Sequence, residues 1–306
     1  MDQLRLGVIG QITLLMLMLI ARSGLQAAEF QPGERLDYTF SYQGIFSGFI
    51  KLDIARASFT VTPQPIALGG RQVYRTSLEV TTEPFTKAEL IYPFRFRYRS
   101  WLEAARQTPV WVQEYKRTDE VEEELLWFNR EQGLGLCYQK SRLQTGQAAR
   151  PPATLLPGLD LDPQEWQLAE GADGQRLPET GVWDYLSMLY RLRFGELPIG
   201  ESFELPVFNG KRIKTYRIEV TRERLMRAGW DLPAFKLTLF EVRDNQRKGK
   251  TVTSIWISDD ERRRPLRFRV ARAFGIFEGI LETDRPLTAG DGEFPEATRR
   301  SLELVF

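Results

Sequence analysis

Apolar and polar residues alternate with a period of two along most of this chain, the signature of half-buried strands. Leu36, Tyr38, Phe40 and Tyr42 fall on one face. Ile50, Leu52 and Ile54 repeat the phase, as do Tyr74, Thr76, Leu78 and Val80. The clearest run puts Phe94, Phe96 and Tyr98 on one side and Arg95, Arg97 and Arg99 on the other. Further strands are expected over 110–115, 125–129 and 134–139, and again over 216–220, 235–239, 251–258, 266–273 and 276–282. Leu302, Leu304 and Phe306 alternate at the end.

Two stretches break the rhythm. Residues 145–181 hold Pro151, Pro152, Pro157 and Pro163 with several glycines, which predicts an irregular crossover because proline removes a ladder donor. Residues 182–194 then switch to helical spacing through Val182, Tyr185, Leu186, Leu189 and Tyr190. Thr180 or Gly181 is placed to cap this helix, with Asp184 in its first turn, and Gly195 and Pro198 end it. Short strands around a single helix predict a mainly β fold, an antiparallel curved sheet or incomplete barrel. The expected division is a leader over 1–28, a β region over 29–144, the crossover over 145–181, and the helix with a second β region over 182–306, the last three joined in one domain.

The leader expectation comes from the first residues. Arg5 precedes the apolar run 14–20, and Ala27 and Ala28 offer small residues for cleavage. The apolar stretch is short for a bilayer span of roughly 20 residues. Export to the periplasm of a Gram-negative cell is the expected destination, with the outer membrane as the alternative.

Composition narrows the chemistry. The chain has no histidine, which excludes Ser-His-Asp and Cys-His catalysis and histidine-based zinc sites. Its one cysteine, Cys137, can form no intrachain disulfide and reads as a small buried residue. Lys and Arg number 42 against 41 Asp and Glu, a balance that argues against nucleic acid as a partner. No cofactor and no metal site is expected; the acidic run 119–124 reads as a solvated turn.

Three blocks carry a resemblance. The first is Gly33-Glu34-x-Leu36-x-Tyr38, leading to Tyr42 and Gly48. The second is Asp184-x-Leu186-Ser187-x-x-Tyr190-x-Leu192-Arg193. The third runs from Trp256 through Ser258 and Asp259 to Arg263, Arg264 and Pro265. In this order they resemble a bacterial family of exported, mostly β proteins of unknown function, over roughly residues 30–283. The resemblance implies a secreted antiparallel β fold and no catalytic residues. Read from the residues alone, Ser258, Asp259 and Pro265 form a hairpin turn, Trp256 is core, and Arg193 is a helix-end charge that satisfies carbonyls.

Ligand chemistry points to two features. Arg95, Arg97 and Arg99 sit about 6.6 Å apart on one strand face. Such close cations need water, carboxylates such as Glu79 or Glu114, or an anionic ligand such as a lipid headgroup. Arg267 and Arg269 repeat the arrangement. A concave face lined by Phe94, Phe96, Tyr98, Trp256 and Phe268 would suit an acyl chain. A binding or scaffold module for a lipid-like or other envelope component is therefore the leading expectation. Alternatives are an outer-membrane barrel closed by Phe306, and a glycan hydrolase using carboxylates such as Asp160, Asp162, Asp259 and Asp260.

Overall fold

The computed structural model describes residues 31–105, 107–140, 151, 159, 161–169, 174–179, 181–227, 230–249 and 251–282. The leader expectation, Asp160, Thr180 and the C-terminal strand with Phe306 lie outside the described residues.

The alternation folds into seventeen strands of one sheet. The first half holds β1 (Arg35–Gly44), β2 (Leu52–Val61), β3 (Ile66–Leu68), β4 (Arg71–Thr81), β5 (Arg95–Glu103), β6 (Pro109–Arg117), β7 (Val121–Asn129) and β8 (Leu134–Lys140). The short β9 (Trp166–Leu168) and β10 (Gln175–Arg176) follow in the crossover. The second half holds β11 (Ser202–Phe208), β12 (Ile213–Arg227), β13 (Trp230–Arg243), β14 (Gln246–Arg247), β15 (Val252–Ser258), β16 (Pro265–Arg272) and β17 (Gly275–Leu281). Helices are α1 (Thr86–Ile91) and α2 (Tyr185–Phe194).

Neighbours pair antiparallel in the order β8-β7-β6-β5-β4-β2-β1-β17-β16-β15-β13-β12-β11. The β1–β17 ladder joins the two halves, with Tyr38 opposite Leu281 and Tyr42 opposite Phe277. The sheet curls but does not close into a ladder from β8 to β11. Leu177 and Trp183 attach to the two sides of the gap instead. Leu177 N donates to Gly133 O at 2.8 Å on one side, and Trp183 N donates to Pro206 O at 3.0 Å on the other. Gly135 permits the close approach, because a Cβ there would lie 2.9 Å from both Leu177 and Phe208.

The concave face carries the main core. Tyr38, Phe59, Tyr98, Val112 and Phe128 from the first half meet Val207, Ile218, Leu237 and Ile257 from the second. Helix α2 fills the space between them. It buries Leu186, Met188, Leu189, Tyr190, Leu192 and Phe194, apolar on nearly every side, as befits a helix surrounded by sheet. A second core lies on the opposite face of β5–β8. There Trp101, Trp111, Leu125 and Tyr138 pack under Leu159 and Trp166 of the crossover. Leu159 and Trp166 thus cover the outside of the barrel at this point.

Several expectations are corrected. The inward residues of β2 are Ala55, Ala57, Phe59 and Val61, while Ile50 and Leu52 stand exposed at the strand's beginning; a bulge at Phe40/Ser41 breaks the phase and leaves Ile54 unpaired between Asp53 and Ala55. The helix starts at Tyr185, three residues later than its periodicity suggests, with Asp184 as its cap and not in its first turn. Glu122, Glu123 and Glu124 lie within β7, so the acidic run is a turn only at its beginning.

Candidate functional site

The three sequence blocks converge on the C-terminal end of α2. Arg193, 1% exposed, donates through both terminal nitrogens to Glu34, at 2.6 and 2.7 Å. Its Nε donates to Arg263 O at 2.9 Å and Nη2 to Arg262 O at 3.3 Å, both in the β15–β16 turn. The guanidinium also lies over the rings of Tyr190 and Phe194. One step along β1, the Tyr38 hydroxyl donates to Pro265 O at 2.6 Å. Glu34 and Tyr38 come from the first block, Tyr190 and Arg193 from the second, and Arg262–Pro265 from the third. The motif residues therefore build a clamp on the interior helix. Arg193 satisfies carbonyls as expected, and its buried carboxylate partner is what sequence reasoning missed.

The other end of the helix is pinned as well. Asp184 Oδ1 accepts from Leu186 N at 2.8 Å and Ser187 N at 3.1 Å, and Asp184 N donates to Ser187 Oγ at 2.9 Å. This reciprocal box satisfies the orphan donors of the first turn. The second carboxylate oxygen accepts from Ser100 Oγ of β5 at 2.8 Å. Ser187 is thus a capping residue whose oxygen is engaged by backbone.

The turn around Ser258 is likewise structural. Asp260 Oδ1 accepts from Ser258 Oγ and from the backbone of Arg262 and Arg263. Asp259 takes an ion pair from Arg222. Trp256 is buried, and its register sets it beside Lys236 and Arg267, on a different face from the expected concave lining. Its indole lies between those cations, 5.5 Å from Lys236 and 4.7 Å from Arg267, and donates to Glu223 at 3.0 Å. Arg267 in turn pairs with Glu278.

Phe94, Phe96 and Tyr98 form a stacked row with centroids 6.1 and 6.2 Å apart. Tyr98 is in the main core together with residues of α2, and Phe96 packs against that core. Phe59 and Phe268 stack at 5.8 Å in the same core. Opposite Tyr98 stands Glu114, which faces Glu124 across the β6–β7 ladder. Burial, reinforced by the Glu124 charge, pushes Glu114 up to about 7.

On the outward side, the arginine row acquires different partners at each step. Arg95 grips Glu89 of α1 at 2.8 Å, and Arg97 bonds Glu79 at 3.1 Å and lies over Tyr115. Glu114 is not among these partners, since it points to the opposite face. Arg99 forms no ion pair among the described residues. Burial and the like charges of Arg97 and Arg75 push its pKa down. Beside the row lies an open groove of about 460 Å³ lined by Arg35, Asp37, Arg56, Glu79, Arg95 and Arg97 among others. No group of three or more metal-ligating side chains occurs among the described residues.

The architecture is that of an antiparallel, barrel-like sheet filled by its own helix. Residues 173–282, from the end of the crossover through β17, match the family model "Protein of unknown function (DUF3108)". That stretch includes the Asp184 and Trp256 blocks and leaves the Glu34 block outside. Among solved structures the chain is similar to a β-barrel-like protein of the domain of unknown function DUF1849 from Brucella abortus. The two share 9% identity with a TM-score of 0.48, over 84% of this chain and 98% of the other. No curated protein matches.

Proposed function

We propose that the chain is an exported binding or scaffold module of the cell envelope that acts without catalysis. It takes a phosphate- or carboxylate-bearing envelope component, such as a lipid headgroup, on the outward face of β4 and β5. The observation that carries this reading is Arg99. It stands partly buried between Arg97 and Arg75 and forms no ion pair among the described residues; the nearest opposing charge, Glu79, is already held by Arg97. An anionic group placed there would relieve that repulsion. The helix-filled interior supports an outside site over an acyl-chain channel. The leader-like segment at residues 1–28 supports export.

The other readings gain no observation. A transmembrane barrel presents an apolar outward band. Here the outward positions include Arg97 with Glu79 and Lys236 with Glu223, each an ion pair. Of the carboxylates that suggest a hydrolase, Asp259 and Asp260 hold a turn and Asp162 accepts from Gln164 N.

Isothermal titration with glycerol phosphate tests the reading, with free phosphate as the second arm. The account expects saturable binding that falls about tenfold in Arg99→Ala, the loss of one charge-assisted contact. Equal affinity for both probes would mark a simple anion site, and tighter glycerol phosphate a headgroup site. Unchanged binding in Arg99→Ala, or none in the parent, would refute the proposal.

A further inference from the structure

The exposed apolar side chains are not scattered over this molecule. Among the described residues, every large apolar side chain that stands exposed, apart from Tyr185 on α2, Ile199 and Met226, belongs to one end of the barrel. This is the end where β1 passes into β2, β4 into β5, β6 into β7 and β16 into β17. Ile45, Phe49 and Ile50 occupy the first connection, Leu90 and Ile91 the second, and Phe274 the last. Leu90 is 81% exposed, Ile91 84% and Phe49 68%. Monomeric proteins rarely leave such a concentration open without a use for it.

The local structure presents these residues outward. Phe49 has φ 64°, a left-handed conformation costly for a bulky side chain, and its ring faces solvent. Ile45 N donates to Phe274 O at 3.1 Å, which ties the first and last connections together. Helix α1, which carries Leu90 and Ile91 but buries no residue of its own, lies against β2. Strands β17, β1, β2, β4 and β5 are successive neighbours, so the three connections form a continuous arc.

The next connections around the same end are basic. Lys211 and Arg212 lie between β11 and β12, and Arg243, Arg247 and Lys248 surround the β13–β14 turn; Arg212 pairs with Glu241 and Arg243 with Asp244, which leaves the lysines in excess. Lys211 and Lys248, with Lys87 on α1, form no ion pair among the described residues. The acidic Asp119 and Glu120 lie at the far side of the arc, before β7.

We propose that this end of the barrel docks onto an anionic lipid surface. The apolar tips enter the headgroup boundary and the unpaired lysines face the phosphates. Interfacial binding of this kind combines buried apolar area with attraction to anionic lipid. A protein partner or a second copy would also cover apolar side chains, but unpaired lysines beside the arc complement a surface of negative headgroups. The proposal goes beyond the arginine-row reading and rests on different residues. It stands or falls independently of that site.

The test uses the full chain and vesicles of mixed phosphatidylglycerol and phosphatidylcholine. An environment-sensitive fluorophore is attached at Phe49→Cys, Ile91→Cys or, at the opposite end, Met226→Cys. Cys137 is buried, with its thiol pushed up to about 12, and stays unlabelled. The proposal expects a blue shift and quenching by brominated lipid at positions 49 and 91, and none at 226. It expects binding to fall about tenfold or more in Leu90→Ser/Ile91→Ser. Lys211→Glu/Lys248→Glu should weaken binding to mixed vesicles and leave pure phosphatidylcholine unaffected. Vesicle binding without a signal at 49 or 91 would mean attachment through another segment and would overturn the proposal. So would a concentration-dependent dimer that Leu90→Ser/Ile91→Ser abolishes while vesicles bind neither form.

Discussion

Breaking the Arg193 clamp should be among the most destabilising single changes in this fold. Arg193→Met keeps the apolar stem against Tyr190 and Phe194 but removes the charge. It strands the Glu34 carboxylate, whose side chain is 8% exposed, and leaves Arg263 O without its 2.9 Å donor. Removing one partner of a buried pair costs about 3–5 kcal/mol, most of it the penalty of an unpaired buried charge. Glu34→Gln/Arg193→Met removes that charge as well. Its cost should drop to about 1–2 kcal/mol, the loss of ordinary hydrogen bonds. Urea unfolding followed by tryptophan fluorescence reads both. With a slope of about 3 kcal/mol per molar, the single variant should lower the midpoint by about 1–1.7 M, and the double variant by less than half of that. A single variant within about 0.3 M of the parent, or a double variant that loses the sum of both singles, would refute the clamp.

Asp184→Ala removes the helix cap and orphans the Ser100 hydroxyl, an expected loss of about 2–4 kcal/mol in the same assay. Glu114, raised to about 7 by burial and Glu124, binds its proton more tightly in the folded state than in the unfolded one. It therefore costs stability above pH 7, and that cost is relieved as pH falls from about 7 towards the ordinary carboxylate range. Glu114→Gln should gain about 1–2 kcal/mol at pH 8 after allowance for partial exposure, and nothing at pH 4; a gain equal at both would contradict the assignment. Cys137 should react with an aromatic disulfide reagent only at the rate of global unfolding, and fast labelling of native protein would place the thiol elsewhere.

The strand pattern was legible because most strands bury one face and wet the other. It misled where both faces are covered. In β5–β8, Ser100 and Val112 face α2 while Trp101, Trp111 and Leu125 face the crossover, so alternation alone does not reveal a second core. The phase of β2 is not legible because a bulge is invisible in periodicity, and Ile50 and Leu52 are apolar yet exposed. The Asp184, Arg193 and Trp256 blocks could be picked out as motifs. Their convergence on one clamp depends on β1 and the β15–β16 turn meeting across more than 200 residues, which no local signal encodes. The arginine row was plain in the sequence, but Glu89 reaches Arg95 only because α1 folds back over it.

Backbone amide NMR of the full chain during titration with glycerol phosphate tests the central claim most directly. An interior sealed by α2 and a site on the outside predict shifts at Arg97, Arg99 and their β4 neighbours, with Leu186 to Phe194 unmoved. Shifts or broadening along Leu186–Phe194 with β5 unchanged would mean that the helix yields to a ligand inside the barrel, and would contradict the account.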